Sequence, residues 1–333
     1  MNKKNNLAET EMTEDVQLIH EKPSIGKILS RFSRLGALLL LCIGISLLNQ
    51  NFLKVSNLIN VFRQAAPQIV ISLGMTIVFL TGGIDLSLGS VVTMTSVVSG
   101  YVLTQTELPW WFAIIAAIGA GALSGFVTGQ LIAIVKLPSA VASYGMLWVG
   151  RGLAFAIMGA SPFFSFPDSF RYLGRGYLLG IPMPIWIVAI IALIMGWFLK
   201  YTTLGRSLYA IGANPHAARA SGIKLSRTLV SAYIISGMLA AIGGIILAAR
   251  LNAVDQDMGA SFLLPAIASP VMGGTSMAGG QGGVAGTIIG SLIMIIVTNG
   301  MNLLGINSLW QQLVTGIVVV LSVWLDVIMR KRN

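Results

Sequence analysis

The stretch VISLGMTIVFLTGGIDLSLGSVVTMTSVVSGYVLT, residues 70–104, joins two apolar runs through a polar break that contains its only charged residue, Asp85. A helix needs about 20 apolar residues to cross roughly 30 Å of hydrocarbon, and the runs reach that length at 64–82 and 86–104. Gly82 and Gly83 allow a helix to break beside the carboxylate. The stretch therefore predicts two membrane spans with a broken helix near residues 82–89.

The rest of the chain repeats this apolar pattern. The 333 residues are 55% hydrophobic and 10% charged, whereas soluble domains carry roughly 25% charged residues. Because so few charges cannot cover a water-facing surface, lipid must be the solvent for most of the chain. Nine spans are predicted, at 35–53, 64–82, 86–104, 111–135, 138–159, 182–200, 228–249, 284–304 and 309–328.

A further apolar segment, from Phe262 to Met272, is too short to be an ordinary span. At ~1.5 Å per residue it covers only about half a bilayer. Glycines follow it up to residue 286. The region 262–286 is therefore predicted to combine a half-helix with an extended glycine-rich stretch.

Basic residues indicate which segments stay in the cytoplasm. They cluster in 1–34, in 201–227 and in 330–333, and an even number of crossings must separate such segments. The short apolar segment then has to complete a crossing. We predict an all-α, polytopic transmembrane bundle of about ten crossings with both termini cytoplasmic. Four basic residues fall on the predicted outer side as exceptions: Lys54, Arg63, Arg171 and Arg175.

The same charge pattern divides the chain into regions. Residues 1–34 are predicted to be a disordered cytoplasmic tail that could include a short surface helix. Residues 35–329 form a single transmembrane domain whose connection 201–227 is cytoplasmic. Residues 330–333 are a basic cytoplasmic end.

Several classes of function are excluded. The 21 basic and 11 acidic residues give a net charge of +10, which the cytoplasmic bias of Lys and Arg explains without nucleic acid. Cys42 is the only cysteine, and His20 and His216 lack metal-ligand spacing. No P-loop motif is present, and membrane spans surround the loose dinucleotide-like match at 279–286. We expect no metal site, no cofactor and no enzymatic activity of the chain by itself.

Two ionisable residues within the apolar part of the chain are candidate functional residues. A carboxylate at membrane depth costs several kcal/mol unless it is paired or hydrated. Asp85 is therefore either a polar group at a solute path or gate, or the cap of a broken helix. Arg151 either pairs with a carboxylate, for which Asp85 is one alternative, or reaches an interface.

Glycines elsewhere in the spans indicate packing or a repeat. Gly121, Gly125 and Gly129 recur every four residues, a spacing that lets helices approach closely. The order apolar run, Gly-Gly, polar residue, Gly occurs near residue 82 and again near residue 273. This similarity is either an internal repeat of the kind found at transporter sites or a pair of ordinary glycine-rich turns.

The connection 201–227 contains signals for a short helix. Asn214-Pro215 is suited to begin a helix, and Gly222 is suited to end it. The connection is either a docking surface for a partner or an ordinary basic loop.

Four groups of residues, taken together, carry a resemblance to a known family. They are Gly82 to Ser90; Gly145-Met146-Leu147 with Arg151-Gly152; Gly205-Arg206, Ala210-Ile211-Gly212, Asn214-Pro215, Ala217-Ala218 and Gly222-Ile223; and Gly273-Gly274-Thr275-Ser276, Gly279-Gly280, Asn299-Gly300 and Asn302 to Gly305. The chain resembles the permeases of bacterial sugar ABC importers of the ribose, xylose, arabinose and galactose type. The resemblance extends from about residue 35 to residue 328.

The resemblance implies a permease of the bacterial inner membrane that moves a monosaccharide-like solute into the cytoplasm. Its implied partners are a cytoplasmic ABC ATPase, an extracytoplasmic sugar-binding protein, and a second copy or a homologous permease. Sugar hydroxyls favour a neutral path of small and amide side chains, with these candidates: Asp85, Ser87, Asn299 and Asn302. The family's ATPase-docking loop corresponds here to these candidates: Gly205, Arg206, Asn214, Ala217, Ala218 and Gly222.

Two other transport functions are alternatives. A branched-chain amino-acid permease of a related ABC importer is the nearer one. A secondary transporter driven by an ion gradient is the other, and it would be expected to bury more ionisable groups than Asp85 and Arg151.

Overall fold

The structure is a computed structural model that describes residues 25–159 and 161–331. In these residues it contains thirteen α-helices: α1 Ile25–Leu48, α2 Val55–Leu80, α3 Leu88–Gln105, α4 Trp110–Ala133, α5 Ser139–Met158, α6 Asp168–Arg175, α7 Met183–Tyr201, α8 Thr203–Ala213, α9 Pro215–Ala220, α10 Leu225–Leu251, α11 Leu263–Met272, α12 Val284–Leu303 and α13 Ser308–Lys331. A short 3₁₀ helix, Ala260–Phe262, leads into α11. Residues 1–24 of the predicted tail 1–34 and residues 332–333 lie outside the described residues, whereas residues 25–34 of that tail form the first part of α1.

The predicted all-α membrane bundle is confirmed. Each of the nine predicted spans coincides with a helix, and the short apolar segment forms α11. Within the described residues, six helices are long and apolar enough to cross a membrane: α2, α4, α5, α7, α10 and α12. Shorter apolar stretches lie at 35–48, 260–272 and 309–321. The number of ten crossings stays a prediction.

The buried face of helix α3 is rich in Ser and Thr. The hydroxyls of Thr95 and Ser96 donate to the carbonyls of Val91 and Val92, one turn earlier in the same helix. The hydroxyl of Ser99 donates to the carbonyl of Ser96 in the same way. Hydroxyls satisfied in this way are compatible with burial inside a membrane bundle.

Helix α10 lies at the centre of the bundle, where it packs against α2, α3 and α4. Its approach to α4 depends on the predicted glycines. A Cβ on Gly121 would collide with the carbonyl oxygen of Gly237, and a Cβ on Gly125 with that of Tyr233. A Cβ on Gly129 would lie 2.8 Å from the Cα of Val230. Small-residue packing in α4 is therefore confirmed.

Both predicted helix breaks are present. Helix α2 ends at Leu80, and residues 81–87, which we call the first break, connect it to α3. Helix α11 ends at Met272, and residues 273–283, which we call the glycine-rich segment, connect it to α12. Gly82 has φ 76°, a left-handed conformation that suits glycine.

Small elements close one end of the bundle. Strand β1 (Phe163–Phe164) pairs antiparallel with β4 (Ala253–Val254), and β2 (Tyr177–Leu178) pairs antiparallel with β3 (Ile181–Pro182).

Two of the four basic exceptions to the charge bias, Arg63 and Arg175, have structural roles at this end. Arg175 donates to the carbonyls of Arg250 and Leu251 at the C-terminus of α10, at 2.6 and 3.2 Å. Such a cation stabilises the last carbonyls of a helix. Arg63 lies over the ring of Tyr177 at 4.7 Å.

Candidate functional site

A cavity of about 720 Å³ lies at the end of the bundle opposite α8 and α9. It is bounded by the N-terminal half of α2, the last turn of α10, the segment leading into α11, and parts of α12 and α13. The lining residues are Gln64, Gln68, Arg250, Asp257, Ala260, Ser261, Phe262, Leu264, Pro265, Met294, Ile295, Thr298, Gln311, Gln312 and Thr315.

Amide and hydroxyl groups dominate the polar part of this lining. Four glutamines carry amides, and Ser261, Thr298 and Thr315 carry hydroxyls. The lining also contains one cation, Arg250, and one carboxylate, Asp257. Such a surface offers both donors and acceptors to a neutral polar solute.

The cavity residues were missed by the sequence analysis, although they left a signal. Gln64 and Gln68 are spaced four residues apart and so share one face of α2. Gln311 and Gln312 occur in the first half of α13. Uncharged amides inside apolar runs are less conspicuous than a charge, yet they mark polar surfaces in a membrane bundle in the same way.

An ion pair lies at the rim of the cavity. Arg151 of α5 donates to Asp257 at 2.6 Å. The guanidinium also lies 5.7 Å from the ring of Trp148 and 5.9 Å from that of Phe155. Of the alternatives for Arg151, pairing with a carboxylate is therefore observed, and the partner is Asp257 rather than Asp85.

Asp85 lies in the first break, where it is 2% exposed. Its Oδ1 accepts from the backbone amide of Ser87 at 3.0 Å and from the Ser87 hydroxyl at 2.5 Å. Its Oδ2 accepts from Ser236 of α10 at 3.4 Å. The carboxylate thus organises the start of α3 and ties it to the central helix.

Neighbouring helices hold the backbone of the first break in place. The amide of Ile84 donates to Ser139, and that of Leu86 donates to Ser143, both in the first turns of α5. The hydroxyl of Tyr233 in α10 donates to the Ile84 carbonyl at 3.3 Å. The break is therefore a defined structure with satisfied polar groups.

The other two path candidates lie far from Asp85 and Ser87. Asn299 exchanges reciprocal hydrogen bonds with Asn57 near the start of α2, at 3.0 and 3.1 Å. Asn302 accepts from Gln311 at 2.6 Å. The 23 residues between Asn57 and Leu80 span roughly 35 Å of helix. The four candidates do not form one cluster and none of them lines the cavity, although Asn302 supports a lining residue.

The docking candidates form helices α8 and α9. Asn214 caps α9 by accepting from the amides of His216 and Ala217, at 3.0 and 3.1 Å. Gly222 has φ 82° and follows the end of α9, where Ile223 donates to the Ala218 carbonyl. These contacts match the helix limits that the sequence predicts.

The docking candidates differ in exposure. Arg206, Asn214, Ala217 and Gly222 are exposed. Gly205 is buried against Phe198 and Leu199 of α7. Ala218 is only 4% exposed, because the turn of α9 directs it into the bundle. Ala218 packs inside the chain in this structure, and its role in docking stays a prediction.

This architecture defines a class. A multi-pass helical membrane protein with an amide-lined cavity at one end and short exposed helices at the other has the organisation of a transport subunit.

Comparison with known proteins gives the family. Residues 57–323 match the family described as "Branched-chain amino acid transport system / permease component". The chain is 39% identical to the ribose import permease of Escherichia coli (strain K12), over 87% of this chain and 91% of that protein. It is 39% identical to that of Bacillus subtilis (strain 168), over 94% and 98%. The galactose/methyl galactoside import permease of Haemophilus influenzae is 32% identical, over 86% and 91%.

The chain belongs to this family of ABC importer permeases. No solved structure matches it significantly. The wording "branched-chain" is the name of the family and does not by itself favour that solute, because the relatives above are named for sugars.

Proposed function

We propose that the chain is the membrane-spanning permease that carries a monosaccharide or similar neutral polyol into the cytoplasm. The observation that carries this proposal is the similarity to ribose import permeases over most of both chains. The amide-lined cavity supports it, because paired donors and acceptors suit the hydroxyls of a sugar.

The energy source is a separate ATPase subunit. The chain has no P-loop of its own, and its relatives are permease components of importers. The exposed parts of α8 and α9 dock on that ATPase, with Arg206, Asn214, Ala217 and Gly222 on the surface. Gly205 and Ala218 shape this surface from inside.

The two ends of the bundle have different partners. The cavity end faces outward and receives the solute from an extracytoplasmic binding protein. The end with α8 and α9 faces the cytoplasm, as do both termini, in the inner membrane of a bacterium. The permease works with a second copy of itself or a homologous permease.

The four path candidates hold in place the elements around the solute path, and they do not contact the solute in this conformation. Asp85 and Ser87 hold the first break near the cytoplasmic end. Asn299 ties α12 to α2 beside the cavity, and Asn302 positions Gln311.

Uptake in intact cells tests the class of solute. Cells that lack this chain and cells in which it is restored are given labelled ribose, galactose or leucine in turn. We expect restoration to increase uptake of at least one monosaccharide and to leave leucine uptake unchanged. Restored leucine uptake without any sugar uptake would favour the branched-chain amino-acid alternative.

A further inference from the structure

The last turn of α8 contacts the glycine-rich segment and the end of α2, where the first break begins. A Cβ on Gly212 would collide with the carbonyl oxygen of Leu80, at the end of α2, and with the amide of Gly280. Backbones therefore meet here without intervening side chains. One element of the proposed ATPase-docking surface is thus in direct contact with the glycine-rich segment and with the end of α2.

The two breaks also contact each other at this point. The amide of Gly280 donates to the carbonyl of Leu80 at 3.0 Å. A Cβ on Gly279 would lie 2.6 Å from the Cα of Gly212 and 2.9 Å from the amide nitrogen of Gly82. These backbones are already in direct contact. A displacement of α8 therefore either moves the glycine-rich segment and the end of α2 with it or breaks its contact with them.

One side chain joins α8 to the glycine-rich segment. The hydroxyl of Tyr209 donates to the carbonyl of Gly282 at 3.1 Å. Burial raises the pKa of the Tyr209 phenol, so the hydroxyl stays protonated and remains a donor at neutral pH. Tyr209 lies one turn before Gly212, so the hydrogen bond and the close backbone contact act on the same segment.

The glycine-rich segment is suited to change conformation. Gly279, Gly280 and Gly282 all have positive φ, at 98°, 73° and 147°. Glycine reaches other backbone conformations at little steric cost, so such a run has more than one accessible arrangement. The segment also leads directly into α12, which contributes Thr298 to the cavity.

We propose that Tyr209 is a positioning residue for transport, which transmits movement of the docked ATPase to the glycine-rich segment through its hydrogen bond to Gly282. Gly212 provides the parallel contact with the end of α2, where the first break begins. The inference rests on the proposed function, since it requires an ATPase on α8 and α9. A contact of this kind couples two sites only if its strength differs between their states.

Tyr209→Phe tests the inference, because it removes the hydroxyl and keeps the ring. The permease is reconstituted in proteoliposomes with its own ATPase and binding protein. Three quantities are measured: the amount of ATPase that co-purifies, the stimulation of ATP hydrolysis by solute-loaded binding protein, and the solute uptake per complex. Tyr201→Phe is the matched control, since Tyr201 lies at the same end of the bundle and is 59% exposed.

We expect Tyr209→Phe to retain the ATPase and to lower stimulated hydrolysis and uptake per complex by about three- to tenfold, the factor that one hydrogen bond carries. Tyr201→Phe should behave like the parent. Parent-like uptake per complex in Tyr209→Phe would overturn the inference, and so would loss of the ATPase, which would make Tyr209 a docking residue. A parent complex that transports no solute would instead overturn the proposed function.

Discussion

At the scale of single residues, Asp85 shows how the bundle accommodates a buried carboxylate. Its two oxygens accept from Ser87 and Ser236. In the part of the chain that the structure describes, the ion pairs use other carboxylates, Asp257 and Asp168. Hydrogen bonds rather than a counter-charge therefore stabilise the first break, and the choice between cap and gate stays a prediction.

Asp85→Asn and Asp85→Leu separate these two roles. Asparagine keeps an acceptor for the Ser87 amide, so we expect uptake within about threefold of the parent. Leucine leaves that amide and hydroxyl unsatisfied at a cost of ~1–3 kcal/mol, so uptake should fall more than about tenfold. Uptake is measured per unit of permease in the membrane. Collapse of transport in the asparagine variant at normal expression would show that the charge itself is required.

The cavity yields a second residue-scale prediction, for Gln64→Met. Methionine has a similar length and no amide, so the substitution removes one potential hydrogen bond with little change in shape. We expect maximal uptake to fall about two- to tenfold with saturating binding protein. Gln130→Met in α4 is the control, because Gln130 is not among the lining residues. Equal uptake by both variants would remove Gln64 from the solute path.

The kind of site could be predicted from the sequence more readily than its members. A sugar as the solute predicts a site with amide and hydroxyl side chains, and such side chains line the cavity. The sequence directed attention to Asn299 and Asn302 because they belong to a recognisable motif. It gave no indication that Asn299 would pair with Asn57, since that contact joins residues far apart in the chain.

At the scale of elements, hydropathy and glycine spacing predicted the membrane helices, both breaks and the packing face of α4, but not the short helices α6 and α8. The orientation of short helices was harder to predict. In α9, Ala217 and Ala218 look equivalent in sequence, but one helical step of about 100° exposes the first and buries the second. The face of a six-residue helix depends on where it docks, which local sequence does not specify.

The α4–α10 contact gives an element-scale prediction with a control in the same helix. In Gly125→Ala the new Cβ would collide with the Tyr233 carbonyl, whereas Gly119 has nothing within 4 Å. We expect Gly125→Ala to destabilise the folded permease by about 1–3 kcal/mol and Gly119→Ala to have no such effect. Thermal unfolding in detergent measures the difference. Equal midpoints for the two variants would contradict the observed packing.

At the scale of the whole molecule, the order of the helices along the chain was predictable and their arrangement in space was not. Apolar runs of similar length resemble one another, so hydropathy does not select α10 as the central helix. Helix α10 is central because its small residues let α4 approach it closely. The meeting of the first break with the glycine-rich segment likewise depends on contacts between residues about 200 positions apart.

The orientation of the molecule can be tested with single cysteines, because Cys42 is the only native one. In a Cys42→Ser background, Leu179→Cys lies in the β2–β3 turn, where Leu179 is 85% exposed. Ala217→Cys lies on exposed α9. We expect a membrane-impermeant maleimide to label position 179 in intact cells and position 217 only in inverted vesicles. Labelling of position 217 from outside would reverse the proposed orientation.

We propose that this chain carries a neutral sugar at the expense of ATP hydrolysed by another subunit. The most direct measurement is uptake of a labelled monosaccharide into proteoliposomes that contain the permease, its ATPase and its binding protein. We expect uptake with ATP on the ATPase side, and none with a non-hydrolysable analogue or without the ATPase. Uptake that follows an imposed proton or sodium gradient and persists without the ATPase would contradict the account.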